Sequence, residues 1–164
     1  MVREVKIGIV DTTFSRVNMG AIALDEIAKH YPNAHIIRRT VPGIKDLPVE
    51  CQILLTTEGC EVVLALGMVG GAPVDEVCAH EAGLGIQQAM LRTNKHIIEV
   101  FVYANERKKE ADLFALCEDR VRKHAHNAIW IVADPQRLVE RAGTGRRQGH
   151  ADEGPIVVKK KGKR

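Results

Sequence analysis

Aromatic side chains are scarce in this 164-residue sequence, where one Trp, two Tyr and three Phe make up 4% of the chain. Proteins that bind single-stranded nucleic acids stack bases on aromatic rings, so we expect no nucleic-acid partner. The sequence also lacks an apolar run near the roughly 20 residues that a membrane helix needs. Its first residues, MVREVKIGIVD, lack the apolar segment and cleavage site of a signal peptide. We therefore expect a cytoplasmic protein without a membrane anchor.

The four cysteines never form a CxxC pair, and each lies in an apolar stretch typical of a helix or strand. They are Cys51, Cys60, Cys78 and Cys117. This spacing indicates neither a disulfide framework nor a thiolate zinc site. Buried, reduced thiols are typical of cytosolic proteins, which agrees with the expected location.

Basic residues are concentrated at the end of the sequence. The net charge is +3, but five of the 24 Lys and Arg residues fall in the last six positions. The preceding residues carry 19 basic against 21 acidic side chains, a net charge of −2. Such a basic end is more typical of a solvated tail than of a nucleic-acid footprint. By length, we expect a single domain over residues 1–158 and a disordered basic tail over 159–164.

Hydrophobic spacing and turn residues predict four strands that alternate with helices. The predicted strands cover residues 5–10, 35–41, 61–66 and 96–103, and the predicted helices cover 19–31, 46–57, 75–91, 106–133 and 135–141. The stretch 128–132, taken alone, could instead be a strand. Strands alternating with helices are typical of an α/β fold with a parallel sheet between two helix layers.

Three turns that follow predicted strands, 11–16, 42–46 and 67–73, are candidates for a binding site. In parallel sheets, ligands bind beyond the carboxyl ends of the strands, so these turns should meet at one rim. In the first turn, Phe14 either fills the core or stacks on a heterocycle. In the second, Lys45 and Asp46 either pair with each other at a helix cap or bind a ligand.

The third turn contains three glycines, whose backbone N–H groups could bind an anion or a polarised carbonyl, or which could simply permit a tight turn. Two other motifs indicate no site. The pair Gly83 and Gly85 falls inside a helical pattern, unlike a dinucleotide-binding fingerprint. His80-Glu81 lacks the second histidine of a zincin, since position 84 is leucine.

Six segments, in this order, resemble the archaeal-type riboflavin synthase family, which is itself similar to lumazine synthases. They are DTTFSRVNM, TVPGIKDLP, ALGMVGGAP, VCAHEAGLG, TNKHIIEVFV and AGTGRRQG. The resemblance covers about residues 5 to 155 and implies a flavodoxin-like, lumazine synthase-like fold and a homopentamer with active sites between subunits. It also implies dismutation of two 6,7-dimethyl-8-ribityllumazine molecules to riboflavin and 5-amino-6-ribitylamino-2,4-pyrimidinedione. A magnesium or manganese ion is implied without a ligand set, and no organic cofactor is expected.

The resemblance further implies roles for individual residues. Phe14 would lie against a pteridine ring, Asp46 would hold ribityl hydroxyls, and residues 96–101 would come from an adjacent subunit. Loss of a proton from the C7 methyl group creates an anion, which Lys45 could stabilise as a cation. Lys45 and Asp46 are thus the predicted catalytic residues. The predicted substrate-binding residues are Thr12, Thr13, Phe14, Arg16, Gly43, Ile44, Gly67, Met68, Val69, His96, Glu99 and Phe101.

Two other functions are compatible with the sequence: a lumazine synthase, and a catalytically inert scaffold whose basic tail binds RNA or an acidic partner. Lumazine synthases carry a catalytic histidine in a loop, GxxxxGxTxHFDY, before the third helix. Alignment backward from that helix places Val74 at the histidine position, in a loop about two residues shorter. Since valine cannot transfer protons, this departure favours the dismutation.

Overall fold

The computed structural model describes residues 3–158, and the predicted tail at 159–164 lies outside this range. The strands are β1 (Lys6–Thr12), β2 (His35–Val41), β3 (Val62–Val69) and β4 (His96–Tyr103). The helices are α1 (Met19–His30), α2 (Leu47–Thr56), α3 (Pro73–Thr93), α4 (Glu110–Ala133) and α5 (Pro135–Arg141). All strands are parallel, in the order β2-β1-β3-β4. The predicted α/β fold is confirmed.

The sheet separates two apolar layers, because successive side chains of a strand point to opposite faces. Ile7 and Ile9 of β1 pack towards α1 and α4, whereas Val10 packs towards α2 and α3. Every residue of the central strand β3 is buried, as its unbroken apolar sequence predicts for a strand covered on both faces. Within residues 3–158, no helix is long and apolar enough to cross a membrane.

Polar contacts move two element boundaries away from their predicted positions. β1 continues to Thr12, beyond the predicted end at residue 10, because buried Asp11 accepts hydrogen bonds from Arg38 (2.5 Å) and Thr40 (2.7 Å). α4 begins at Glu110 instead of residue 106. Glu106 accepts a hydrogen bond from the backbone N–H of Tyr103 (2.9 Å), which holds Ala104–Glu106 as a separate 3₁₀ turn.

Local stop signals and caps are otherwise well predicted. Gly59 adopts the left-handed conformation after α2, with φ of 71°. Asp134 accepts a hydrogen bond from the backbone of Arg137 (3.3 Å), and Pro135 opens α5. Residues 128–132 belong to α4, whose Ala128 and Ile129 pack on the sheet, so the alternative of a strand there is wrong.

Candidate functional site

The loops after β1, β2 and β3 meet at the carboxyl edge of the sheet, as the sequence predicts. They surround a cavity of about 400 Å³, a size within the range of small-molecule sites. The helix after β1 covers one face of the sheet, and the helix after β3 covers the other. The cavity therefore lies at the carboxyl edge between two strands whose connecting helices leave to opposite faces, the usual position of a ligand site in such sheets. Its lining residues are Phe14, Pro42, Gly43, Ile44, Lys45, Asp46, Met68, Val69, Gly70, Asp75 and Cys78.

The first two loops are tied together by hydrogen bonds of Thr13. Its backbone N–H donates to the carbonyl of Val41 (2.9 Å), and its hydroxyl donates to the carbonyl of Pro42 (3.1 Å). The neighbouring side chain, Phe14, is 59% exposed at the cavity, so the interpretation that it fills the core is wrong. An exposed ring held by a fixed loop can stack on a flat heterocycle.

Lys45 and Asp46 do not pair with each other, which corrects one of the two interpretations of this turn. The ammonium group of Lys45 lies 2.6 Å from the carboxylate of Glu81 on α3, and this hydrogen bond raises the pKa of Lys45. The carboxylate of Asp46 accepts a hydrogen bond from the backbone N–H of Gly43 (3.3 Å) and makes no side-chain cap to α2. Both charged groups therefore remain at the cavity surface.

The third turn is shorter than predicted, because Gly67, Met68 and Val69 belong to buried β3. Gly67 is required by close packing: a Cβ atom there would lie 2.6 Å from Cγ2 of Ile44 and 3.2 Å from the ring of Phe101. A Cβ atom on Gly70 would overlap the carboxylate of Asp75. The glycines thus bring the strand end and the loops close together beneath the cavity.

Asp75 and Cys78 line the cavity but were missed in the sequence. Asp75 accepts a hydrogen bond from the backbone N–H of Ala72 (2.9 Å) at the start of α3, and Cys78 is half-buried one turn further. Their spacing of three residues on a predicted helix places them on one face, and could have revealed them. The other cysteines, Cys51, Cys60 and Cys117, are buried and free, as predicted.

Three predicted residues lie at the margin of the cavity or away from it. Thr12 ends β1 and is buried, and its hydroxyl has no hydrogen-bond partner within residues 3–158. Arg16 forms an exposed ion pair with Glu110 at the start of α4. Phe101 packs against Gly67 in the same chain, behind the cavity wall.

His96 lies far from this cavity in the same chain. It pairs with Val62 at the start of β3, whereas the cavity lies at the other end of that strand, about 20 Å away at the usual rise per residue. Glu99 lies on the same edge strand, and burial raises the pKa of its carboxyl group. A role for either residue at this cavity would therefore require a second chain, as the resemblance implies.

A family model described as 6,7-dimethyl-8-ribityllumazine synthase matches residues 4–135. The chain belongs to this family. A riboflavin synthase of Methanothermobacter marburgensis is 54% identical over 93% of this chain and 99% of its own length. A riboflavin synthase of Archaeoglobus fulgidus is 47% identical over the same shares. A 6,7-dimethyl-8-ribityllumazine synthase of Desulfovibrio desulfuricans is 37% identical over 55% of this chain and 62% of its own length.

Within the lumazine synthase family, this chain is thus similar to riboflavin synthases along nearly its whole length. The similarity to the Desulfovibrio lumazine synthase is weaker and covers little more than half of the chain. The segments that form the cavity, from Phe14 to Cys78, all fall inside the part that the family model matches. Family membership therefore includes the candidate site as well as the sheet.

Proposed function

We propose that this protein is a riboflavin synthase. The observation that carries the proposal is its 41–54% identity with four proteins named riboflavin synthase, over 92–93% of this chain. In this reaction, one 6,7-dimethyl-8-ribityllumazine gives a four-carbon unit to a second one. The acceptor becomes riboflavin, and the donor leaves as 5-amino-6-ribitylamino-2,4-pyrimidinedione, so carbon is conserved without an external oxidant.

The chemistry requires mainly that two rings be held face to face, because orientation alone can supply a large part of the rate. The cavity of about 400 Å³ offers one wall for this purpose. Phe14 presents its exposed ring at that wall, and Met68 and Val69 form its apolar floor at the end of β3. We assign the first lumazine ring to this position, with the second ring stacked on its open side.

Lys45 is the group we assign to stabilise the anion that forms when the C7 methyl group loses a proton. Its side chain is 58% exposed and positively charged at neutral pH, and the hydrogen bond to Glu81 raises its pKa further. A preorganised cation near developing negative charge is an effective source of transition-state stabilisation. The anionic ring would compete with Glu81 for this ammonium group.

Asp46 is the group we assign to the ribityl chain. One of its oxygens accepts the hydrogen bond from Gly43, and a carboxylate has about four acceptor positions. The remaining positions can accept hydrogen bonds from ribityl hydroxyls. This places the sugar chain towards the Ile44–Asp46 turn and the ring towards Phe14.

We also propose that the site is completed by a neighbouring subunit in a homopentamer. The cavity is open on one side, and the edge strand β4 lacks a partner strand on its outer side within residues 3–158. The segment 96–101 of a second chain, with His96 and Glu99, would then face the second ring. Light scattering should give a pentamer, and a monomer that produced riboflavin at full rate would contradict the shared site.

The magnesium or manganese ion that the resemblance implies does not fit the cavity well. Asp46 and Asp75 are the only carboxylates among its described lining residues, and Lys45 adds a positive charge beside them. Among the described residues, no group of three metal-ligating side chains lies at this cavity. We therefore assign no step of the reaction to a metal ion here.

Val74 provides the observation that separates this proposal from a lumazine synthase. It occupies the position aligned with the catalytic histidine of lumazine synthases, and it lies 63% exposed in the first turn of α3. An aliphatic side chain there cannot transfer the protons needed to form the lumazine. We also propose a cytoplasmic location, because free thiols are typical of reducing compartments.

Two assays test the proposal. Incubation with 6,7-dimethyl-8-ribityllumazine should produce riboflavin, followed by its absorbance. Incubation with 5-amino-6-ribitylamino-2,4-pyrimidinedione and 3,4-dihydroxy-2-butanone 4-phosphate should produce little lumazine. Rapid lumazine formation without riboflavin would identify a lumazine synthase, and inactivity in both assays with salt-dependent RNA binding would identify the scaffold.

A further inference from the structure

A second group of convergent polar side chains lies between α1 and α4, on the face of the sheet that does not carry α2 and α3. One oxygen of buried Glu26 lies 2.8 Å from Nε2 of His126 and 3.4 Å from Nε2 of His30. The three ligand atoms lie within 4.8 Å of one another. The cavity described above shares no residue with this group.

We propose that Glu26, His30 and His126 bind one zinc-type divalent metal ion. With zinc–ligand bonds of about 2.0–2.1 Å, a tetrahedral ion separates its ligand atoms by about 3.4 Å. The distances between the three ligand atoms, from 2.8 Å to at most 4.8 Å, therefore differ from this value by at most about 1.4 Å, which small side-chain rotations can supply. Glu26 and His30 are four residues apart on one face of α1, and His126 faces them from α4, so two packed helices fix all three ligands.

The atoms around the three ligands are those expected around a metal site. Nδ1 of His126 lies 2.7 Å from the hydroxyl of Tyr31, and the other oxygen of Glu26 accepts a hydrogen bond from Arg122 (2.7 Å). Such outer contacts orient the ligands of bound metals. Metal binding through Nε2 requires the His126 tautomer that carries its proton on Nδ1, where it can donate to the Tyr31 oxygen.

Local charge also favours a cation. Arg122 is the guanidinium at the centre of three carboxylates, with Asp25 at 2.8 Å, Glu26 at 2.7 Å and Glu118 at 3.0 Å. Three carboxylates around this one guanidinium leave excess negative charge next to the ligand atoms.

Solvent can reach the group from the side of His30, whose side chain is 44% exposed. A separate cavity of about 360 Å³ is lined by His30 and Tyr31 and lies next to the group, and a water molecule would be the fourth ligand. Two imidazoles and one carboxylate match the ligand preference of zinc and related transition metals, whereas magnesium prefers oxygen ligands alone. Zinc should therefore bind in the presence of excess magnesium.

The test uses the full-length protein, stripped of metal with EDTA and dialysed, and then titrated calorimetrically with zinc chloride. We expect one saturable site per chain that excess magnesium chloride leaves occupied. His30→Gln, Glu26→Gln and His126→Gln should each lower the affinity at least tenfold. His80→Gln, which removes an exposed histidine on α3, is the matched control and should leave it unchanged.

Cobalt in place of zinc adds a second measurement. A four-coordinate site should give visible absorption bands that disappear in His30→Gln. Because His30 is partly exposed, this substitution should leave the circular dichroism spectrum unchanged. The absence of saturable zinc binding, or equal zinc affinity in the wild type, His30→Gln and Glu26→Gln, would overturn the proposal. The group would then be a hydrogen-bonded network only. Because no readout depends on riboflavin formation, failure here leaves the proposed function unaffected.

Discussion

The polar groups under α4 and those at the cavity are used in opposite ways. Under α4, the side chain of Arg120 is 9% exposed and binds both oxygens of Glu106, at 2.7 and 2.8 Å. At the cavity, the side chain of Lys45 is 58% exposed and Phe14 is 59% exposed. Buried pairs such as Arg120 and Glu106 stabilise the fold, whereas exposed groups, even when paired as Lys45 is with Glu81, can exchange partners with a ligand. Substitutions in the two regions should therefore affect different measurements.

Arg120→Met should have the largest effect, on stability. It removes a buried cation, so the Glu106 carboxylate loses its charged partner and both hydrogen bonds from it, and the carbonyl of Phe101 loses the hydrogen bond from Arg120. Removing one partner of a buried ion pair typically costs about 3–5 kcal/mol. Urea unfolding followed by circular dichroism measures the loss.

Arg92→Met is the matched control for this substitution, because Arg92 is exposed near the end of α3. Surface substitutions usually change stability by less than about 0.5 kcal/mol. Equal unfolding midpoints for the Arg120 and Arg92 variants would mean that the pair under α4 contributes nothing to the fold, and the contrast between the regions would be lost.

His124 should make the free energy of unfolding decrease at acidic pH. Burial, and secondly the nearby charge of Arg120, lower the pKa of His124 to about 4. Since the unfolded value is about 6.5, the unfolded chain binds the proton first, and stability falls as the pH decreases from 6.5 towards 4. Between pH 7 and pH 4, wild-type protein should lose about 3 kcal/mol more than His124→Leu. Urea titrations of both proteins at pH 7 and pH 4 measure the free energy of unfolding. If the wild type and His124→Leu lost the same stability, the imidazole of His124 would be solvated rather than buried.

The sequence predicts most of the fold because its signals are local. Strand alternation, helical spacing and caps such as Asp134 involve neighbours along the chain, and all four strands and five helices were placed. The misplaced boundaries depend on distant partners. Asp11 extends β1 through Arg38 and Thr40, which belong to another strand. Glu106, which holds the 3₁₀ turn before α4 through the N–H of Tyr103, is itself held by Arg120, 14 residues further along the chain.

The candidate site could be predicted in part for the same reason. Phe14, Lys45 and Asp46 follow strands, so topology alone brings them to the rim of a parallel sheet. The partner of Lys45 could not be predicted, because Glu81 approaches it only through the packing of α3. The group between α1 and α4 was missed as well, since His126 is 100 residues from Glu26.

Lys45→Met tests the catalytic side of the comparison. Loss of a preorganised group that stabilises an anion typically lowers kcat about 100-fold. Stability should stay nearly constant, because exposed ion pairs contribute little. Glu81→Gln is the control, since it removes the ion pair and retains the lysine. If both variants lost kcat equally, Lys45 would act by positioning α3 rather than on the substrate.

Asp46→Ala should have a smaller effect, confined to binding. Loss of hydrogen bonds between a carboxylate and ribityl hydroxyls should weaken lumazine affinity by about 2 kcal/mol, or roughly 30-fold. Fluorescence titration with 6,7-dimethyl-8-ribityllumazine measures the change, and Asp46→Asn, which keeps an oxygen acceptor, should lose less. An unchanged dissociation constant in Asp46→Ala would show that the ribityl chain binds elsewhere.

Removal of residues 159–164 should have the smallest effect on turnover, because the cavity is lined by residues between Phe14 and Cys78. The three residues before this segment do not pack on the core: Ile156, Val157 and Val158 are 95%, 79% and 81% exposed. The segment carries five basic residues and no apolar side chain. The truncated protein should form riboflavin at the same rate as the full chain, measured at equal subunit concentration.

A large loss of this rate with assembly intact would place the basic segment at the active site. Loss of salt-dependent RNA binding with unchanged turnover would instead give the segment a second role beside catalysis.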